Sequence, residues 1–196
     1  MAQRNVKNLR IMRLLLSRPE GALTKYGIAK RAGCSSAWVI EFLNKLEAIN
    51  LVRGTKVLDR EKLIDHYIQV MPKMRQMEGF VKDPEEFFKR SRLPYALTTY
   101  AAENYTSHHL FLTRYDAYIF GKDEEKWKSL IIERGLYGKG NIRLIVAYDE
   151  AILLEAVKIK GVSIVSTPLL LIDLKREGGV AIEGYNLLVK QDVQGH

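Results

Sequence analysis

The sequence predicts a mixed chain, α+β or α/β, built in two parts. Three observations carry this expectation: three helices read in sequence within the first fifty residues, two short β-type runs around a glycine directly after them, and an alternation of helical and strand-like segments beyond residue 84. At 196 residues the chain can form one domain or two small ones, and its 47% hydrophobic content is that of a soluble globular protein. A single cysteine, Cys34, excludes an intrachain disulfide and a Cys-rich zinc site, which favours a reducing, cytoplasmic setting. The apolar run Leu14 to Leu16 is too short for a signal or spanning segment, so no membrane attachment is expected.

Charge separates the two parts. Lys and Arg number 31 against 23 Asp and Glu, a net +8; residues 1–72 hold 13 and 6 of these, residues 73–196 hold 18 and 17. The first part is therefore +7 and the rest +1. A concentrated basic surface raises local anion concentration and releases counterions on meeting a polyphosphate, so nucleic acid is the partner it suits.

The first helix is read from Val6 to Ser17, where Val6, Leu9, Met12, Leu15 and Leu16 recur at three- to four-residue spacing with Arg10 and Arg13 on another face. Pro19 and Gly21 end it. Thr24 offers an N-cap to a second helix, Lys25 to Ala32; Gly33 stops that helix, and Ser35 or Ser36 caps a third whose apolar stripe is Trp38, Val39, Phe42, Leu43, Leu46 and Ile49. Ala29, Gly33, Val39 and Phe42 reproduce the helix-turn-helix pattern: a small residue where two helices cross, a glycine where the backbone turns with positive φ, and two apolar anchors. Val52-Arg53-Gly54-Thr55-Lys56-Val57-Leu58 then reads as a basic wing, and Asp59 to Val70 as a closing helix, which together describe a winged helix-turn-helix over residues 1–72.

In that geometry the third helix enters the major groove of double-stranded DNA and presents Ser35, Ser36, Ala37, Ile40 and Glu41 to base edges. Lys25, Tyr26, Lys30, Arg31, Lys45, Arg53, Thr55 and Lys56 would meet the backbone and set affinity and register rather than sequence. Core packing explains Trp38 better than base contact and competes for Ile40, while an exposed or ion-paired role competes for Glu41.

Residues 73–83 read as a linker because Pro72 and Gly79 break the helical run without a sustained apolar period. From residue 84 to 196 an α/β domain is expected. Asp83-Pro84-Glu85-Glu86 opens a helix with Phe87 and Phe88, residues 98–105 read as helical, and Leu110 to Thr113 with Ala117 to Phe120 form a hairpin candidate. Then follow a helix Glu124 to Glu133, a strand Ile142 to Tyr148, a helix Glu150 to Lys158, a strand Val162 to Val165, a helix from Pro168 to Arg176 and a last helix after Gly178-Gly179.

Tyr95-Ala96-Leu97-Thr98-Thr99-Tyr100-Ala101-Ala102, two aromatic-rich strands, and Val165 to Leu174 followed by Gly178-Gly179 and a final helix resemble the AbiEi antitoxin family. The resemblance covers most of the chain, through short motifs. It implies a transcription regulator whose winged helix represses its own toxin-antitoxin operon, and a C-terminal interaction domain that acts against a nucleotidyltransferase-like toxin.

Catalytic motifs are weak. His108-His109 would point to opposite faces of a strand, wrong for joint metal binding. Gly135 to Gly140 lacks the spacing of a phosphate loop, Asp149-Glu150 reads as a helix N-cap, Asp173 as a structural polar contact and Cys34 as packing. No carboxylate cluster is legible, so no enzyme activity, cofactor or metal is expected. A nuclease or nucleotidyltransferase-like enzyme that docks through the winged helix is the rival, and a winged helix used for protein contacts a third reading. A homodimer would match a two-fold operator.

Overall fold

The computed structural model describes the backbone of residues 2–194 and the side chains of residues 5–191. The chain divides into two compact units, Met1–Pro72 and Lys73–His196. It is a mixed α+β protein with a seven-stranded sheet.

The first unit packs α1 (Ala2–Ser17), α2 (Lys25–Ala32), α3 (Ser36–Ala48) and α4 (Arg60–Val70) around Leu9, Met12, Leu15, Leu16, Ile28, Val39, Leu43, Leu46, Leu63 and Ile64, all at most 1% exposed. Two-residue strands β1 (Val52–Arg53) and β2 (Lys56–Val57) form an antiparallel pair before α4. Arg13, read as lying on another face than the apolar residues, is itself buried and its Nη1 donates to the Tyr67 hydroxyl at 3.1 Å, so α1 is clasped to α4 on that side.

The second unit is a sheet flanked by helices. Its strands are β3 (Gln76–Val81), β4 (Tyr95–Thr98), β5 (Tyr115–Ile119), β6 (Gly135–Tyr137), β7 (Ile142–Val146), β8 (Val157–Ile159) and β9 (Val162–Ile164), in the order β6-β3-β7-β5-β4-β9-β8. Among the described residues only β5 with β7 and β4 with β9 run parallel. Helices α5 (Pro84–Lys89) and α7 (Glu124–Arg134) bring Phe87, Phe88 and Trp127 against Tyr95 and Tyr115, with ring centroids 5.0–6.2 Å apart. The alternate residues of β4 and β5, Thr98, Asp116 and Tyr118, point to the opposite face, toward α9 (Thr167–Glu177). Helices α6 (Thr99–Ser107) and α10 (Ala181–Gln194) pack with α9.

Several expectations need correction. Residues 73–83 are not only a connection, because β3 lies within them and pairs with β6 and β7; its inward positions Met77, Gly79 and Val81 alternate with outward ones, and glycine masks that period. The expected hairpin is a single strand: β5 forms, while residues 109–114 take no regular structure and β5 pairs with β4 and β7 instead. The expected helix Glu150 to Lys158 shrinks to α8 (Ala151–Leu154), and its second half is β8, paired with β9 around a turn at Lys160-Gly161.

Candidate nucleic-acid interface

The α2–α3 connection is built from local chemistry. Thr24 Oγ1 accepts from Gly27 N at 3.0 Å and starts α2, and Gly33 ends it at φ 67°, a left-handed value that costs a residue with a Cβ about 1–2 kcal/mol. Cys34 N donates to the Ala29 carbonyl at 3.0 Å, and Ser35 Oγ accepts from Trp38 N at 3.2 Å to start α3. Ala29, Val39 and Phe42 are buried at the α2–α3 crossing. The turn is therefore short and held at each position.

That geometry fixes what α3 shows to solvent. Ser35, Ser36, Ala37, Ile40 and Glu41 are all exposed, Ile40 at 42%, on the side of the helix opposite Val39, Phe42, Leu43 and Leu46. Lys25, Tyr26, Lys30, Arg31 and Lys45 are exposed too, Tyr26 at 71%. Ion pairing sorts the charges: Glu41 holds Lys45 at 2.7 Å, whereas Lys25, Lys30, Arg31, Arg53 and Lys56 have no ion pair among the described residues. Trp38 is half-buried and its indole donates to Asn8 Oδ1 at 2.9 Å, which ties α3 to α1 and removes the ring from the exposed face.

The β1–β2 pair is stitched to the α1–α2 connection. Val57 N donates to the Pro19 carbonyl at 2.9 Å and Thr55 Oγ1 to the Gly21 carbonyl at 3.1 Å. The Glu47 carboxylate accepts from Gly54 N and ties the hairpin tip to α3. Thr55 thus has a structural task for its hydroxyl, and Ser35 for its oxygen. Arg53 and Lys56 sit opposite each other in the register, both exposed.

The second unit brings together side chains that sequence reasoning left apart. Asp116, with no exposure, accepts from Arg114 (Nε to Oδ1, 2.6 Å), from Arg143 (Nη2 to Oδ2, 2.8 Å) and from the Thr99 hydroxyl. Both guanidinium groups also donate to Glu177, at 2.7 and 2.8 Å. Asp173, equally buried, accepts from Thr98 Oγ1 at 2.7 Å and Tyr118 at 3.0 Å, with Arg176 Nη2 at 3.4 Å. Burial pushes the Asp173 carboxyl above the ordinary aspartate range despite Arg176 and the two hydroxyls. Burial would raise Glu177 as well, but its hydrogen bonds from Arg143 and Arg114 outweigh that and hold it low. Thr99 stands at φ 46° beside this network, a strained value for a β-branched residue.

A carboxylate cluster therefore exists, contrary to the expectation from sequence. Asp116 and Glu177 each accept from both arginines, which occupies lone pairs a metal would use, and the same hydrogen bonds lower the basicity of Glu177. Among the described residues no group of three or more His, Cys, Asp or Glu is arranged to hold a metal. The period-two pattern Arg114, Asp116 was the one local signal; Arg143 and Glu177 come from far along the chain.

The remaining candidates resolve locally. His108 is not on a strand: it caps α6 at φ 57°, with Nε2 2.9 Å from Lys160 Nζ. Gly135 begins β6 instead of a loop, and both it and Gly140 lie where a Cβ would strike the backbone of Gly79 or Phe80, so these glycines permit close strand approach. Asp149 Oδ1 accepts from Ala151 N at 3.0 Å at the start of α8. Cys34 is half-buried, and burial pushes its thiol up, away from the reactive range. No described helix is long and apolar enough to cross a membrane.

Comparison of the chain with protein-family models, with curated proteins and with solved structures returns no match.

Proposed function

We propose that this protein is a DNA-binding transcriptional regulator whose first unit is a winged helix-turn-helix, with α3 as the reading helix and the β1–β2 hairpin as the wing. One observation carries the reading: the exposed face of α3 offers Ser36, Ala37 and Ile40, while nearby in sequence the cations Lys25, Lys30, Arg31, Arg53 and Lys56 are exposed without ion pairs among the described residues. Small polar and apolar side chains suit base edges and thymine methyl groups, and unneutralised cations suit phosphates. The attachment of the hairpin to Pro19 and Gly21 supports a wing held at a set position in this unit.

The resemblance to AbiEi antitoxins extends the proposal to repression of the protein's own operon, with the second unit as the interaction domain for a nucleotidyltransferase-like toxin. The test is an anisotropy titration of the full chain against its own upstream DNA, with random duplex as competitor, at two salt concentrations. Tight binding that resists competitor supports a specific regulator; binding to no duplex at low salt refutes it.

The rival reading, a nucleic-acid-processing enzyme, would have to draw on Asp116, Asp173 and Glu177, whose oxygens are engaged by arginines and hydroxyls. Incubation of the full chain with labelled DNA, RNA and nucleotides in magnesium or manganese separates the two. Metal-dependent turnover by the wild-type chain would establish the enzyme.

A further inference from the structure

Lysine and arginine nearly balance aspartate and glutamate in residues 73–196, yet one cleft of the second unit departs from that balance. It measures about 580 Å³ and lies between α7 and the segment that follows α5. Four cations line it, Arg90, Arg92, Lys126 and Arg134, with Ser91 and Ser129; Glu133 is the one carboxylate in the lining. Leu93 and Leu130 form apolar wall against which arginine stems can rest.

The cations differ in how firmly they are held. Lys126 Nζ lies 2.9 Å from Asp123, whose carboxylate is 7% exposed, so this lysine neutralises a nearly buried charge and stays with it. Arg90 pairs with Glu86 at 2.5 Å, its own side chain 75% exposed, and Arg134 reaches its neighbour Glu133 only at 3.8 Å. Exposed pairs of this kind contribute little and exchange readily. Arg92 is exposed and has no ion pair among the described residues. Guanidinium forks gathered in a concave site with hydroxyls beside them match the tetrahedral oxygens of phosphate.

We propose that this cleft is a phosphate-binding site of the second unit, with Arg92 and Arg134 as its principal ligands and Arg90 as a third once released from Glu86. The phosphate belongs either to a small phosphorylated molecule or to a nucleic-acid backbone. The site is separate from the Arg53 and Lys56 hairpin of the first unit, and stands whether or not that unit binds DNA.

The test uses the full chain and three probes: calorimetric titration with inorganic tripolyphosphate and with ATP, and anisotropy with a short random duplex over a range of salt. Each is repeated on Arg92→Ala/Arg134→Ala and on Arg53→Ala/Lys56→Ala. Tripolyphosphate or ATP binding weakened about tenfold or more by the first variant and unchanged in the second identifies a small phosphorylated ligand. Duplex binding alone weakened by the first variant, with a salt slope shallower by about two, identifies a nucleic-acid backbone. Arg92→Lys/Arg134→Lys keeps the charge without the fork and should fall between wild type and the alanine variant. Identical titrations of wild type and the Arg92/Arg134 alanine variant with all three probes overturn the site, whatever the Arg53/Lys56 variant does.

Discussion

Asp116 shows how much a single buried carboxylate organises in the second unit. It meets Arg114, Arg143 and Thr99, and both arginines depend on it and on Glu177 for charge balance. Asp116→Ala leaves two largely buried cations facing one carboxylate, so urea unfolding at neutral pH should show a loss of about 3–5 kcal/mol. An unchanged midpoint would mean that the network relaxes to solvent. Asp173 and Glu177 make opposite contributions to pH dependence. Glu177 is held below its unfolded value of about 4.3, so its contribution is present above that pH and lost as pH falls through the lower folded value. Asp173 is raised, so the fold binds its proton more tightly than the unfolded chain does. Its contribution is greatest below about pH 3.9 and declines as pH rises through the raised folded value. Asp173→Asn removes that decline, and its stability relative to wild type should grow from about pH 4 toward neutrality. A constant difference across chemical denaturation series would contradict the burial argument.

Among elements, helix starts were the most legible because their causes are local. Thr24, Ser35, Asp59 and Asp83 each accept from a backbone N–H within the next three residues, and a cap with its apolar period is visible in a short window. Neighbouring serines should therefore separate structure from readout. Ser35→Ala removes the α3 cap and should lower stability by about 1 kcal/mol in thermal unfolding, whereas Ser36→Ala should leave the melting midpoint unchanged and shift preference among duplex sequences. Equal loss on all sequences from Ser36→Ala would remove it from the reading set. Strands were less legible, since their stability comes from partners elsewhere. Leu110 to Thr113 has strand-like composition but no partner, and Val157 to Ile159 continues an apparent helix but pairs with β9. The network around Asp116 was hidden for the same reason: Arg143 lies 27 positions away, and Arg114 reaches Glu177 across 63. On the candidate interface an ion-paired role for Glu41 was legible, but not that Lys45 is its partner, nor the hydrogen bond that occupies Thr55.

At the scale of the molecule the two units divide charge unequally, +7 over residues 1–72 against +1 over the remainder. Affinity for any duplex should accordingly fall steeply with salt, and Arg53→Ala/Lys56→Ala should weaken all sequences about equally while reducing the salt slope by about two. A flat salt response would contradict a phosphate-dominated interface. The strand order of the second unit bears on how the chain comes into being. Strand β3 has β6 and β7 as its neighbours, and neither exists until residues 135–146 have been made. Residues 1–72 form a compact unit of their own. During synthesis, then, the helical unit folds while β3 waits as a bare edge through more than fifty further residues. A ribosome stalled after the first unit has emerged but before residue 146 would carry a complete basic unit joined to a strand without its partners, a state open to aggregation.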